Sequence, residues 1–188
     1  MGFTQPTARG TGYVVQATDW NVDIAYNVAW LGSNVVGSGL ALAGRPSVLA
    51  VETSDQSIPN NTITAVTFND TELYDVQSQH DTTANTSRIT CGATANIGLY
   101  HFHASGLWAS NATGQRYAAL RLNGTTELYR VGTSSNAATA MGWSVSGYYR
   151  LTAITDYMEV VVFQNSGGAL ALSASVLSSK FAALWVSA

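Results

Sequence analysis

Hydrophobic and polar positions change their rhythm once along this chain of 188 residues. Residues 1–9 show no periodicity and contain Pro6, which predicts an extended arm. Trp20, Ile24, Val28 and Leu31 then recur at helical spacing, with Thr18 or Asp19 as N-cap and Gly32 as the C-terminal stop. Tyr26 and Trp30 lie off that stripe, so this short helix presents apolar surface on more than one side and needs something to pack against. Residues 32–44 hold four glycines among small apolar residues and read as a linker. The domain boundary is placed at Pro46: arm, helix and linker over 1–46, a second domain over 47–188.

Beyond that boundary the pattern is one of short strands divided by turn residues, with no helical period. Strands are predicted at 48–52, 62–68, 72–76, 87–91, 96–109, 115–122, 126–131, 141–151, 156–164, 169–176 and 181–187. Ile58-Pro59-Asn60-Asn61 reads as a turn or edge element, and Asn123-Gly124 is a hairpin signal. About ten antiparallel strands at this spacing imply an all-β sandwich or jelly roll. The 96–109 strand alternates, with Tyr100, Phe102, Ala104, Gly106 and Trp108 on one face and Leu99, His101, His103, Ser105 and Leu107 on the other. Neither face carries the charges of a solvated surface. A sandwich hides one face of each sheet, so the second face implies a further partner, most simply another copy of the chain.

Composition sharpens that picture. Only 10% of the residues are charged, against roughly 25% in an average soluble domain. Seven arginines and the single Lys180 face eleven acids, without a basic cluster, which argues against nucleic-acid binding. No apolar run approaches the roughly 18 residues of a membrane span, so no membrane insertion is expected. Met1-Gly2-Phe3-Thr4-Gln5-Pro6 lacks the basic start and apolar core of a secretory signal, so assembly in a cytoplasm is expected. The lone Cys91 offers no internal disulfide and reads as a buried thiol.

Several stretches resemble a known superfamily, in its order. Gly98-Leu99-Tyr100-His101-Phe102 resembles the Gly-x-Tyr-x-Phe strand of complement globular-head and tumour-necrosis-factor-like jelly rolls. Arg121-Leu122-Asn123-Gly124-Thr125 is similar to their Leu-x-Asn-Gly hairpin. The run 151–160 is similar to their Leu-x-x-Gly-Asp-x-Val segment, and Ser178-Ser179-Lys180-Phe181 to their final strand. Ala104, Thr155 and Ala183 depart from the usual aromatic and glycines. Within that superfamily the chain looks most like tailed-bacteriophage virion proteins of the head-decoration or head-fibre type. That likeness rests on Ala17-Thr18-Asp19-Trp20-Asn21, Tyr26-Asn27-Val28-Ala29-Trp30-Leu31, Gln56-Ser57-Ile58-Pro59-Asn60-Asn61-Thr62 before Val66-Thr67-Phe68, and Tyr74-Asp75 before His80-Asp81 and Ser87-Arg88-Ile89-Thr90.

The resemblance implies a homotrimer on a virion surface, with Leu99, His101, His103 and Ser105 turned toward the threefold axis. It also implies that Trp20, Ile24, Val28 and Leu31 anchor the knob to a major capsid or tail protein. The alternative is a tail-tip protein that recognises a bacterial surface glycan or protein through the 77–86 or 132–140 loops. Neither reading needs a cofactor.

Candidate chemistry is weighed against simpler roles. His101-x-His103 places two imidazoles on one face, and three copies would gather six, enough in number for an octahedral metal. Strand pairs without a carboxylate or thiolate are weak metal signals, and no metal is assigned. His80-Asp81, with Asp75, Ser78 and Ser87 nearby, holds the residue types of a hydrolase but lacks a nucleophile elbow and an oxyanion motif. Asp70, Glu72 and Asp75 lack the regular spacing of a calcium loop. The expectation is a non-enzymatic protein. Trp108, Tyr117, Trp143, Tyr148, Tyr149 and Trp185 are assigned to core and interface, with Tyr148 and Tyr149 on opposite faces.

Overall fold

Alternating side chains on long strands leave a chain like this one solution: two sheets laid face to face over the apolar halves of their strands. The computed structural model describes residues 44–134, 139–174 and 179–188. The predicted arm and the helix bearing Trp20, Ile24, Val28 and Leu31 lie outside the described residues. Twelve strands run through the described residues: β1 (Ser47–Glu52), β2 (Gln56–Ile58), β3 (Thr64–Ala65), β4 (Thr71–Asp75), β5 (Arg88–Thr90), β6 (Gly98–Trp108), β7 (Gln115–Leu122), β8 (Thr126–Ser134), β9 (Met141–Leu151), β10 (Tyr157–Gln164), β11 (Leu170–Leu172) and β12 (Ser179–Ser187).

Every pairing is antiparallel. In the larger sheet the order is β9-β6-β12-β1-β4, and β11, with β2 at its edge, takes over beside the far end of β6. In the smaller sheet β10 has β7 and then β8 on one side, while β3 and β5 share the other. The architecture is an all-β, antiparallel jelly-roll sandwich.

The core lies between the sheets. Val48, Ala50, Tyr100, Phe102, Ala104, Trp108, Phe181 and Ala183 enter it from the larger sheet, and Ala118, Leu120, Met158, Val160 and Val162 from the smaller. Phe181 packs between Phe68 and Phe102, with ring centroids 5.5 and 6.4 Å away. Each fully buried large apolar side chain contributes about 1.5–3 kcal/mol. Polar groups reaching this interior are bonded in series. The Tyr100 hydroxyl donates to the Asn96 carbonyl at 2.6 Å and accepts from Gln79 Nε2 at 3.0 Å, while Asn96 Nδ2 donates to the Cys91 carbonyl at 2.8 Å. Burial pushes the Tyr100 hydroxyl well above the ordinary tyrosine range, so it stays a donor.

Several predicted strands are shorter than their sequence pattern, among them 169–176, of which Leu170–Leu172 is the described strand. Within 62–68 only Thr64–Ala65 is laddered; beyond it the Val66 N–H bonds the Val160 carbonyl and the Phe68 N–H the Thr86 carbonyl, while the other edge is capped by the Gln56 side chain. Its Nε2 donates to the Ala65 carbonyl and its Oε1 accepts from the Thr67 N–H. Residues 94–96 form a 3-10 turn, so the strand predicted from Asn96 begins at Gly98.

The β7–β8 hairpin turns on Asn123 and Gly124, whose φ angles of 49° and 72° give the primed turn that this dipeptide favours. A close approach joins the two sheets. Tyr129 of β8 reaches under β9, its hydroxyl donating to the Tyr148 carbonyl at 2.6 Å, and its ring fills the place a Cβ on Gly147 would take. Gly147→Val is expected to lower stability by about 1–3 kcal/mol or more through overpacking. In denaturant unfolding, its cost combined with Tyr129→Ala should fall short of the sum of the two single costs. Additive costs would show that the contact does not govern the position.

Candidate assembly interface

The alternation of β6 divides its side chains between the core and the outer face of the larger sheet. Residues opposite each other in antiparallel strands share a face, so the register assembles that surface row by row. Tyr148, His101, Leu184 and Ser47 form one row. Ser146, His103, Ala182, Leu49 and Tyr74 form the next, followed by Ser144, Ser105, Lys180 and Val51. Leu99, at the lower end, lies between Arg150 and Ser187. The four residues expected on the threefold face, Leu99, His101, His103 and Ser105, therefore do share one surface, and all four are half-buried in the isolated chain.

Their neighbours make this surface unusual. Tyr148 is 57% exposed, Leu184 51%, Tyr74 47% and Val186 39%, so four large apolar or aromatic side chains face water on a single sheet face. The His101 ring lies 4.7 Å from the Tyr148 ring at a tilt of 35°. His103 Nε2 is 3.0 Å from the Ser144 hydroxyl. Serine and histidine fill the polar positions, and the strand positions carry two charges, Arg150 and Lys180, with no carboxylate. Hydroxyls and neutral imidazoles cost less to dehydrate than carboxylates or ammonium groups.

The sequence pattern of β6 led to the histidines but not to Tyr148, Leu184, Val186 or Tyr74 as their companions. The alternation of β9 and β12 was available as a signal. Tyr148 and Tyr149 do point to opposite faces, Tyr149 packing on the core. Trp108 and Trp143 are buried in that core, Trp185 packs against it, and Tyr117 stacks on Phe163 outside the smaller sheet.

The remaining candidate residues serve as local scaffolding. The His80 side chain is fully buried, with Nδ1 2.7 Å from Glu72 Oε1 and Nε2 3.1 Å from the Thr86 carbonyl. Both ring nitrogens are thereby engaged without a serine, so the residues of a hydrolase are near in sequence but not assembled as one. Asp75 accepts the backbone N–H groups of Gln77 and His80, and Asp70 accepts the Thr53 hydroxyl. These bonds commit each of the three acids considered for calcium to a protein partner. Among the described residues no group of three histidine, cysteine or acidic side chains converges as a metal site would require. Cys91 is buried, and that burial pushes its thiol up, away from the reactive thiolate.

No protein-family model and no curated protein matches the sequence. Solved structures do match. Murine APRIL at pH 8.0 aligns with 75% of this chain and 98% of its own length, at 14% identity and a TM-score of 0.55. The pH 5.0 structure of murine APRIL gives 13% identity and a TM-score of 0.53 over 75% of this chain and 98% of its own. The globular domain of the zebrafish complement 1qA protein covers 75% of this chain and 97% of its own at 18% identity, with a TM-score of 0.48. At these identities the shared property is the fold.

Asp81 supplies a test of the loop beside His80. The Thr83 hydroxyl, then the Thr83 and Ala84 N–H groups, bond its Oδ1 and hold its carboxyl at about 2. A carboxylate held low in the fold stabilises it above the ordinary value of roughly 3.9, and that contribution is lost as pH falls toward the folded value. Asp81→Asn should therefore flatten the fall in stability measured by denaturant titration between about pH 4 and pH 2. An unchanged acid slope would contradict the assignment.

Proposed function

We propose that this chain is a non-enzymatic structural protein of a tailed-phage virion: a homotrimeric capsid decoration or head-fibre knob, anchored through residues 1–46. The observation that carries the trimeric part is the outer face of the larger sheet, where Tyr148, Leu184, Tyr74 and Val186 stand exposed among serines and histidines. An exposed apolar patch of this kind marks a contact surface. Closed symmetry allows three copies of one chain to cover it without leaving a further sticky surface.

The virion setting rests on the sequence likeness described above, together with a jelly-roll fold. In this reading the work is mechanical. The 47–188 domain forms the knob, and the helix predicted from the sequence around Trp20, Ile24, Val28 and Leu31 docks on a major capsid or tail protein of the same particle. The protein then belongs to the virion surface. The low charge of the chain fits such a role, because threonine, serine and asparagine keep it soluble yet dehydrate at low cost.

Two experiments test the two parts. In sedimentation equilibrium the full chain should behave as a trimer, and Leu184→Asp should raise the concentration for half-assembly by at least about tenfold, or ~1.4 kcal/mol, with an unchanged circular dichroism spectrum. A monomeric wild-type chain, or a fully trimeric variant, would contradict the assignment of the face. Removing residues 1–46 should leave trimers that no longer load onto particles. Normal loading of the shortened chain would contradict the anchoring role.

A further inference from the structure

The charges that the described strands place on the proposed contact face are all of one sign, which bears on when it can assemble. On β6 the titratable groups are His101 and His103. From β9 they meet Tyr148, 4.7 Å from the His101 ring, and Arg150, opposite Leu99. From β12 they meet Lys180, opposite Ser105 and one row from His103. Facing positions on β1 are Ser47, Leu49 and Val51, and β4 contributes Tyr74. Arg45 bonds the Val186 carbonyl at the lower rim. The five strands thus offer arginine, lysine, tyrosine and histidine on this face, and no carboxylate.

We propose that acid releases the assembled interface, through protonation of His101 and His103 on a face whose described strand positions place no carboxylate opposite them. The inference rests on the reading of this face as the self-association surface. In the free subunit both rings are half-exposed, so water solvates an imidazolium. In the assembly that water is displaced, and a charged ring needs a carboxylate that the face does not have. The free subunits therefore bind more protons than the trimer, and lowering the pH favours them by linkage. His103 adds a local effect. Its Nε2 lies 3.0 Å from the Ser144 hydroxyl, and an imidazolium can only donate there, whereas a neutral ring whose Nε2 carries no hydrogen accepts. Three copies bring six histidines to the contact, so small individual effects multiply.

The test is sedimentation of the full chain at about pH 7.5 and about pH 5, the range in which an ordinary histidine side chain changes charge, with circular dichroism to follow the fold. The expected result is a trimer at the higher pH. At the lower pH the half-assembly concentration should rise by at least about tenfold, reversibly and with the strands intact. The double variant His101→Gln/His103→Gln should lose that response. Lys180→Glu, which places a carboxylate one row from His103, should move the release to lower pH. Equal assembly of the wild-type chain at both pH values would overturn the acid release and leave the assembly face standing. A monomer at the higher pH would overturn both. Should the double variant fail to assemble, Lys180→Glu decides, and an unmoved release would overturn the proposal.

Discussion

A two-sheet sandwich covers one face of each of its sheets, and this protein treats the two outer faces in opposite ways. On the smaller sheet the chain covers itself. Tyr117 stacks on Phe163 at 5.2 Å, Arg130 lies 4.0 Å over Tyr117, and Arg88 lies 4.4 Å over Tyr157. Arg121 Nε donates to Glu159 Oε1 at 2.9 Å, and Arg130 Nε to Glu127 Oε2 at 2.9 Å. Beneath these long side chains, Ala119 and Val161 on the outer surface are as fully buried as core residues. Guanidinium planes over aromatic faces combine packing area with solvation at their rims.

On the larger sheet nothing comparable is present among the described residues. Its outer face has short serines, two imidazoles and four exposed apolar or aromatic groups. The contrast gives the low overall charge a structural meaning. Three of the seven arginines, with two glutamates, serve the self-covered face, while the described strand positions of the other face carry two cations and no acid.

The strands themselves were largely legible, because alternation is a local signal. β7 and β9 match their predicted limits at both ends, and the two faces of β6 were readable residue by residue from its period of two. What local pattern does not contain is register. Leu184 and Tyr148 meet His101 only because β12 and β9 flank β6 in one alignment, with 83 and 47 residues of separation in sequence. The arginine ladder is hidden for the same reason, since Arg88, Arg121 and Arg130 come from three different strands. The strand at 62–68 is short for another reason: its backbone passes from the Val160 carbonyl to the Thr86 carbonyl, with the Gln56 side chain on its other edge, and a β-branched run announces neither partner. The catalytic suggestion in 75–87 dissolved once His80 turned to Glu72 and a backbone carbonyl.

The central claim is that three copies of the chain meet through the larger sheet's outer face, and a density map of the purified full-length protein tests it most directly. The account predicts a threefold assembly in which Tyr148, His101 and Leu184 of each copy turn inward and lose their exposure. A map in which that face lies open to solvent, with the arginine-covered face of the smaller sheet forming the contact, would contradict it.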